Sequence, residues 1–99
     1  MIKVVKNGND IKIFGHADFA DYGKDIVCAS VSSIIYTTVN GIKNIDDNAI
    51  EFIDNDNFME VKVLKNDEVI NKLINNMLDL IKDLMNQYPK HILISEEKY

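Results

Sequence analysis

One long apolar stripe near the end of the sequence constrains the fold more than any other feature. At 100° per residue, the apolar side chains between Asp67 and Pro89 cover about half of a helical wheel, and polar side chains cover the rest. The apolar positions are Val69, Ile70, Leu73, Ile74, Met77, Leu78, Leu80, Ile81, Leu84, Met85 and Tyr88. Asn66-Asp67 is a favourable helix start, and Pro89 ends the helix. So wide a stripe is expected to cover a sheet and to touch another element as well, either a helix or a second subunit.

Short segments with strand character surround this helix. Residues 2–5 and 11–14 flank Asn7-Gly8, and Asn-Gly is a strong hairpin signal because both residues tolerate positive φ. Residues 49–53, 58–64 and 91–94 are also predicted strands, and residues 54–57 form a turn with Asx chemistry between two of them.

A second helix is predicted after the hairpin. Asp25 is the expected N-cap, and Asn40-Gly41 is the expected stop. The apolar residues with helical spacing are Val27, Val31, Ile34, Ile35 and Val39. Residues 17–24 show no clean period and are predicted to form a loop. The order is strand, strand, helix, strand, strand, helix, strand. It predicts an α+β single domain over residues 1–99, with two helices on one face of a mainly antiparallel sheet.

Composition excludes several classes of function. The net charge of −5 and the pI near 4.8 disfavour a nucleic-acid partner, because such binding needs clustered Lys and Arg. One cysteine cannot form an intramolecular disulfide, so a reducing cytoplasm is expected. No signal peptide is recognised and no apolar run approaches membrane-spanning length, so no membrane partner is expected. The spacing of Cys, His and Asp matches no metal site, and no cofactor is expected.

Cys28 and His16 are the strongest candidates for catalytic residues. If Asp25 caps the helix, Cys28 is its third residue, beside backbone N–H groups that favour a thiolate and could hold an oxyanion. A partner imidazole would come from His16, at the end of a strand, or from His91. His16 could take the thiol proton and protonate a leaving amine. A buried structural thiol and an ordinary surface histidine are the alternatives for residues of these types.

The stretch that holds both residues resembles the ribosomal-processing cysteine protease family, also described as the YsxB-like proteins. The resemblance rests on Gly15-His16-Ala17, Tyr22-Gly23, Asp25-Ile26-Val27-Cys28-Ala29 and Val31-Ser32, and on the spacing between His and Cys. Ser30 departs from the smaller Ala or Gly that is common in the family.

The resemblance implies a cysteine endopeptidase with Cys28 as nucleophile and His16 as base, supported by Asp25 and Ser32. A mobile loop over the site would include Gly15, Ala17, Phe19, Tyr22 and Gly23, with Gly15 and Gly23 as hinges. The implied protein is usually a homodimer. Its implied substrate is the N-terminal extension of a bacterial large-subunit ribosomal protein, number twenty-seven, and an acidic enzyme suits a basic ribosomal substrate. A non-catalytic ribosome-associated binding module and a redox-sensing thiol protein are the competing hypotheses.

Overall fold

A computed structural model describes residues 1–15, 22–55 and 57–97, with the backbone alone for residues 22–25 and 97. The described residues form five strands and two helices: β1 (Ile2–Asn7), β2 (Asp10–Phe14), α1 (Tyr22–Ile45), β3 (Ile50–Asp54), β4 (Phe58–Val63), α2 (Glu68–Gln87) and β5 (Ile92–Glu97). The strands form one sheet in the order β3-β4-β2-β1-β5. Only the β1–β5 pair is parallel, so the predicted α+β order and the mainly antiparallel sheet are confirmed.

Alternation along the strands puts one face of the sheet against the helices. Ile11 and Ile13 of β2 are almost fully buried, whereas Phe14, the last residue of β2, is 37% exposed. Residues of both helices join the same core cluster as the inward residues of the strands. The other face of the sheet carries Lys3, Lys12 and Lys62 and is called the open face below.

The sheet has two distinct ends. The site end holds the start of β1, the end of β2 at Phe14, and the start of β5. The turn end holds the β1–β2 hairpin, where Gly8 adopts a φ of +60°. The predicted hairpin is therefore confirmed, but Asn7 pairs with Asp10 and has no positive φ, so the two turn residues are Gly8 and Asn9 rather than Asn7 and Gly8.

The apolar stripe of α2 behaves as expected. The Asp67 carboxylate accepts the Ile70 N–H at 3.1 Å, which caps the helix. The residues buried on this helix are Ile70, Ile74, Met77, Leu78 and Ile81. The partly buried Leu73, Leu84 and Met85 pack at the edge of the core, and α2 contacts both β5 and α1. The second element that the stripe touches is therefore the first helix.

Helix α1 is longer than predicted at both ends. It begins at Tyr22, so residues 22–24 of the predicted loop are helical, and Asp25 lies in the first turn instead of capping the helix. It also runs through Gly41 to Ile45. A glycine inside a helix costs about 1 kcal/mol, but Ile42 is fully buried one residue later, and burying a residue of that size contributes about 2 kcal/mol.

The length of α1 also revises one expectation about membranes. Ile26–Ile45 has a mean hydropathy of 1.2 and could span a membrane by length and composition alone, whereas no run of that length was expected. Core helices pass the same test. Val27, Val31 and Ile35 of this segment are buried in the core, which accounts for its apolar character.

Candidate active site

The chain leaves β2 at Gly15, the residue before His16. Gly15 has a φ of +85°, and an added Cβ would lie 2.3 Å from the carbonyl oxygen of Met1. Met1 is itself fixed by its neighbour, because the Ile2 N–H donates to the His91 carbonyl at 2.8 Å. Backbone of β1 and of the residue before β5 therefore fixes the point from which His16 departs, and only glycine fits there.

Cys28 lies in the second turn of α1 and faces the core. Its side chain is 2% exposed and belongs to the cluster that contains Val27 and Val31. Side chains on a helix lean toward its N-terminus, so the thiol is directed back over the first turn. The thiolate is the reactive form of cysteine. A nucleophile at this position would therefore need a neighbouring group that takes the thiol proton.

The helix start changes the predicted relation between Cys28 and the backbone donors. With α1 beginning at Tyr22, Cys28 is not the third helical residue, and the prediction that its own turn carries unpaired N–H groups is wrong. Within the described helix, the N–H groups without an intrahelical acceptor belong to residues 22–24, one turn earlier. Asp25 follows them in the first turn, where a carboxylate is stabilised by the helix dipole.

The remaining predicted site residues fall into two groups. His16, Ala17 and Phe19 lie outside the described residues, as does any distance between His16 and Cys28. Tyr22, Gly23 and Asp25 occupy the first turn of α1, with no described side chains, and Ser32 lies one turn after Cys28 and is partly buried. The structure therefore brings Cys28 and Ser32 to one face of α1 and brings the first turn beside them.

Two features of the site end were not predicted. The Tyr36 hydroxyl donates a hydrogen bond to the Asp54 carboxylate, and its ring meets Phe52 edge-on at 5.5 Å. That hydrogen bond is the main reason why the pKa of Tyr36 is raised, followed by burial and by the charge of Asp54. Tyr36 therefore ties α1 to the end of β3, where sequence analysis offers no local signal for the contact.

The second unpredicted feature is an aromatic pair on the open face. Phe14 and Phe58 are cross-strand partners with ring centroids 6.0 Å apart. The Lys12 ammonium lies 5.8 Å from the Phe58 ring centroid. The two rings form the last side-chain pair between β2 and β4 before the chain reaches Gly15.

Metal chemistry has no evident ligands in what the structure describes. Across residues 1–15, 22–55 and 57–97, no group of three or more His, Cys, Asp or Glu side chains is arranged to hold an ion.

Comparison with known proteins decides the family. The profile of the cysteine protease Prp family matches residues 1–93. The chain belongs to this family. It is 36% identical over 101 residues to the ribosomal processing cysteine protease Prp of Mycoplasma genitalium, covering 100% of this chain and 99% of the relative. Like other Prp proteins, it is a cysteine protease and hence a hydrolase.

Solved Prp structures share the fold. The S. aureus ribosomal processing protease Prp in complex with a substrate peptide matches with a TM-score of 0.85 and 21% identity, covering 97% of each chain. The same S. aureus protease with a covalently linked product peptide also gives a TM-score of 0.85, at 24% identity, covering 98% of this chain and 100% of that one. The two likenesses confirm the architecture described above.

Proposed function

We propose that this Prp protein is an endopeptidase that removes the N-terminal extension of ribosomal protein number twenty-seven, with Cys28 as nucleophile and His16 as base. One observation carries the assignment of the nucleophile: the family is a cysteine protease family, and Cys28 is the only cysteine of the sequence. The names of the relatives support a ribosomal substrate, and an S. aureus relative forms a complex with a substrate peptide.

The proposed reaction has two steps. His16 takes the Cys28 proton, and the sulfur attacks the scissile carbonyl to form a tetrahedral intermediate with a negatively charged oxygen. Collapse breaks the C–N bond, and the imidazolium gives its proton to the leaving amine, which leaves a Cys28 thioester. Water, deprotonated by His16, then hydrolyses the thioester and restores the thiol. The unpaired N–H groups of residues 22–24 are the candidate donors to the oxyanion.

The supporting roles are part of the same proposal. Asp25 orients His16 or stabilises the first turn of α1, and Ser32 supports the Cys28 face of that helix. The segment from Gly15 to the first turn of α1, which includes Ala17 and Phe19, closes over bound peptide. No metal or cofactor takes part in the proposed reaction.

The setting is also proposed. We expect a cytoplasmic homodimer that contacts neither nucleic acid nor membrane, because the net charge of −5 attracts a basic ribosomal protein and repels phosphate backbones. Sedimentation velocity over a range of protein concentrations tests the dimer, and a single species of about 11 kDa would contradict it.

The test of the chemistry is peptide cleavage with matched variants. Purified wild type, Cys28→Ala, His16→Ala and His91→Ala are incubated with the extended ribosomal protein, and products are identified by mass spectrometry. We expect a single cut in the extension, loss of at least about 10³-fold in kcat/KM for Cys28→Ala and His16→Ala, and near-normal activity for His91→Ala. Full activity in Cys28→Ala would end the mechanism.

A thiol-labelling experiment separates the enzyme from its two rivals. The rate of Cys28 alkylation by iodoacetamide is measured against pH in wild type and His16→Ala. Fast labelling near neutral pH that slows in His16→Ala supports an activated nucleophile. Slow labelling that is unaffected by His16→Ala supports a binding module. Loss of function on mild oxidation without any peptide turnover supports a redox-sensing thiol.

A further inference from the structure

Two carboxyl groups meet on the open face of the sheet, away from both helices. Asp10 of β2 lies opposite Lys62 of β4, and Lys12 lies opposite Glu60, so Asp10 and Glu60 are diagonal neighbours on one face. Glu60 is 5% exposed, the only charged residue so deeply covered within the described part of the chain. Asp10 Oδ1 is buried and accepts no hydrogen bond from any described residue.

This arrangement requires a proton. Two ionised carboxylates have no hydrogen to share and repel each other, whereas a carboxylic acid donates to a carboxylate. The hydrogen bond to Asp10 raises the pKa of Glu60, and burial and the negative charge of Asp10 raise it further. A proton on Glu60 also supplies the Asp10 carboxylate with a donor in a region where the rest of the protein offers none to Oδ1.

Other charged residues lie on the same face of the sheet as Asp10 and Glu60. Lys12 and Lys62 lower the pKa of Glu60, but less than Asp10 raises it. On β3, Glu51 lies opposite Lys62 and the uncharged Ile53 lies opposite Glu60. On β1, the uncharged Val5 and Asn7 lie opposite Lys12 and Asp10.

We propose that Asp10 and Glu60 hold one proton between them, and that this proton is part of the pairing of β2 with β4, so that acid strengthens the fold and base weakens it. Asp10 begins β2, the strand that leads to Gly15 and His16, but the inference does not depend on the proposed enzymatic function. In the unfolded chain Glu60 loses its proton near pH ~4.3, and in the folded protein it does so at higher pH. Stability therefore falls as pH rises between these two values and is constant above them.

Urea unfolding at a series of pH values tests the proposal. In Glu60→Gln, an amide of the same shape donates to Asp10 at every pH. The ratio of the unfolding constant of wild type to that of Glu60→Gln is expected to rise with pH by up to about tenfold per pH unit, the limit for one proton. Glu51→Gln, on the same face but exposed, is the matched control and should show the wild-type pH dependence.

A direct measurement removes any dependence on unfolding. Carboxyl ¹³C chemical shifts of folded protein follow Glu60 as pH is raised. We expect titration above the ordinary glutamate range in wild type, and a return toward that range in Asp10→Asn, whose amide donates to the ionised form. Ordinary titration of Glu60 in wild type, or equal pH dependence of unfolding in wild type and Glu60→Gln, would overturn the proposal.

Discussion

The two ends of the sheet each contain a glycine with positive φ, and the two glycines are confined very differently. At the turn end, Gly8 has a φ of +60° and no atom within 4 Å of where a Cβ would lie. At the site end, Gly15 has a φ of +85°, and a Cβ added there would lie 2.3 Å from the Met1 carbonyl oxygen. The hairpin turn needs glycine for its dihedral angles alone, whereas the exit toward His16 needs glycine for its dihedral angles and for space.

This difference bears on how the site is built. The proposed base His16 needs to start from a fixed point on a rigid scaffold. Gly15 is held against Met1, and Ile2 is hydrogen-bonded to His91, so three strands define that point. The hinge role of Gly15 stays a prediction, and the structure adds that motion about it must avoid the Met1 carbonyl.

The largest expected effects test whether the two ends differ in their core. Ile11 near the turn end and Ile13 near the site end are exposed by 1% and 0%. Replacing either with alanine leaves a cavity and should lower the free energy of unfolding by about 3–4 kcal/mol in urea denaturation. We expect the two losses to agree within about 1 kcal/mol, since neither core position is privileged. A much larger loss for Ile13→Ala would show that the site end is also the better packed end.

The next effect separates the two glycines themselves. Gly15→Ala should destabilise the protein by about 3 kcal/mol, because alanine disfavours positive φ and its Cβ cannot coexist with the Met1 carbonyl. Gly8→Ala has the dihedral penalty alone and should cost about 1 kcal/mol. Urea denaturation of both variants at one pH measures the difference. Equal losses would mean that β1 yields easily at Met1, and the comparison between the ends would fail.

Sequence predicted the regular parts of the fold well because their signals are local. The stripe of α2, its start at Asn66-Asp67 and the β1–β2 hairpin each depend on neighbouring residues, and all are confirmed. The ends of α1 depend on tertiary contacts: Gly41 looked like a stop, but burial of Ile42 continues the helix. Cys28 was recognised by its sequence context, yet its position in the second turn followed only from where the helix begins.

Contacts between distant residues could not be predicted at all. Asp54 lies 18 residues after Tyr36, and no pattern in the sequence links them. The sequence predicted a strand over residues 58–64 but not the burial of Glu60, which depends on the side chains of neighbouring strands.

Two side-chain links, Tyr36–Asp54 at the site end and Asp46–Lys65 at the turn end, extend the comparison. At the site end, Tyr36→Phe removes the hydrogen bond to Asp54 while keeping the ring against Phe52. We expect a loss of about 1 kcal/mol in the free energy of unfolding, typical of one hydrogen bond. Asp54→Asn is the matched variant, and combining it with Tyr36→Phe should cost less than the sum of the two single losses. Strict additivity would mean that the two side chains do not interact in solution.

The turn-end link should be the weaker of the two and should depend on pH and salt. Lys65 Nζ lies 2.7 Å from Asp46 Oδ2 on the protein surface, and this hydrogen bond is the main reason why the pKa of Asp46 is lowered. A lowered carboxyl pKa gives stability that is present above the unfolded value and is lost as pH falls through the folded value. Lys65→Met should therefore be slightly less stable than wild type near pH ~7, and the gap should narrow as pH falls below the ordinary aspartate range or in about 1 M salt. Urea unfolding under these conditions measures the gap, with Lys72→Met, whose partner Glu68 lies on the same helix, as the control for an exposed lysine. A gap that persists in acid and in salt would mean that the Lys65 chain acts by packing, and the contrast with Tyr36 would then be one of degree.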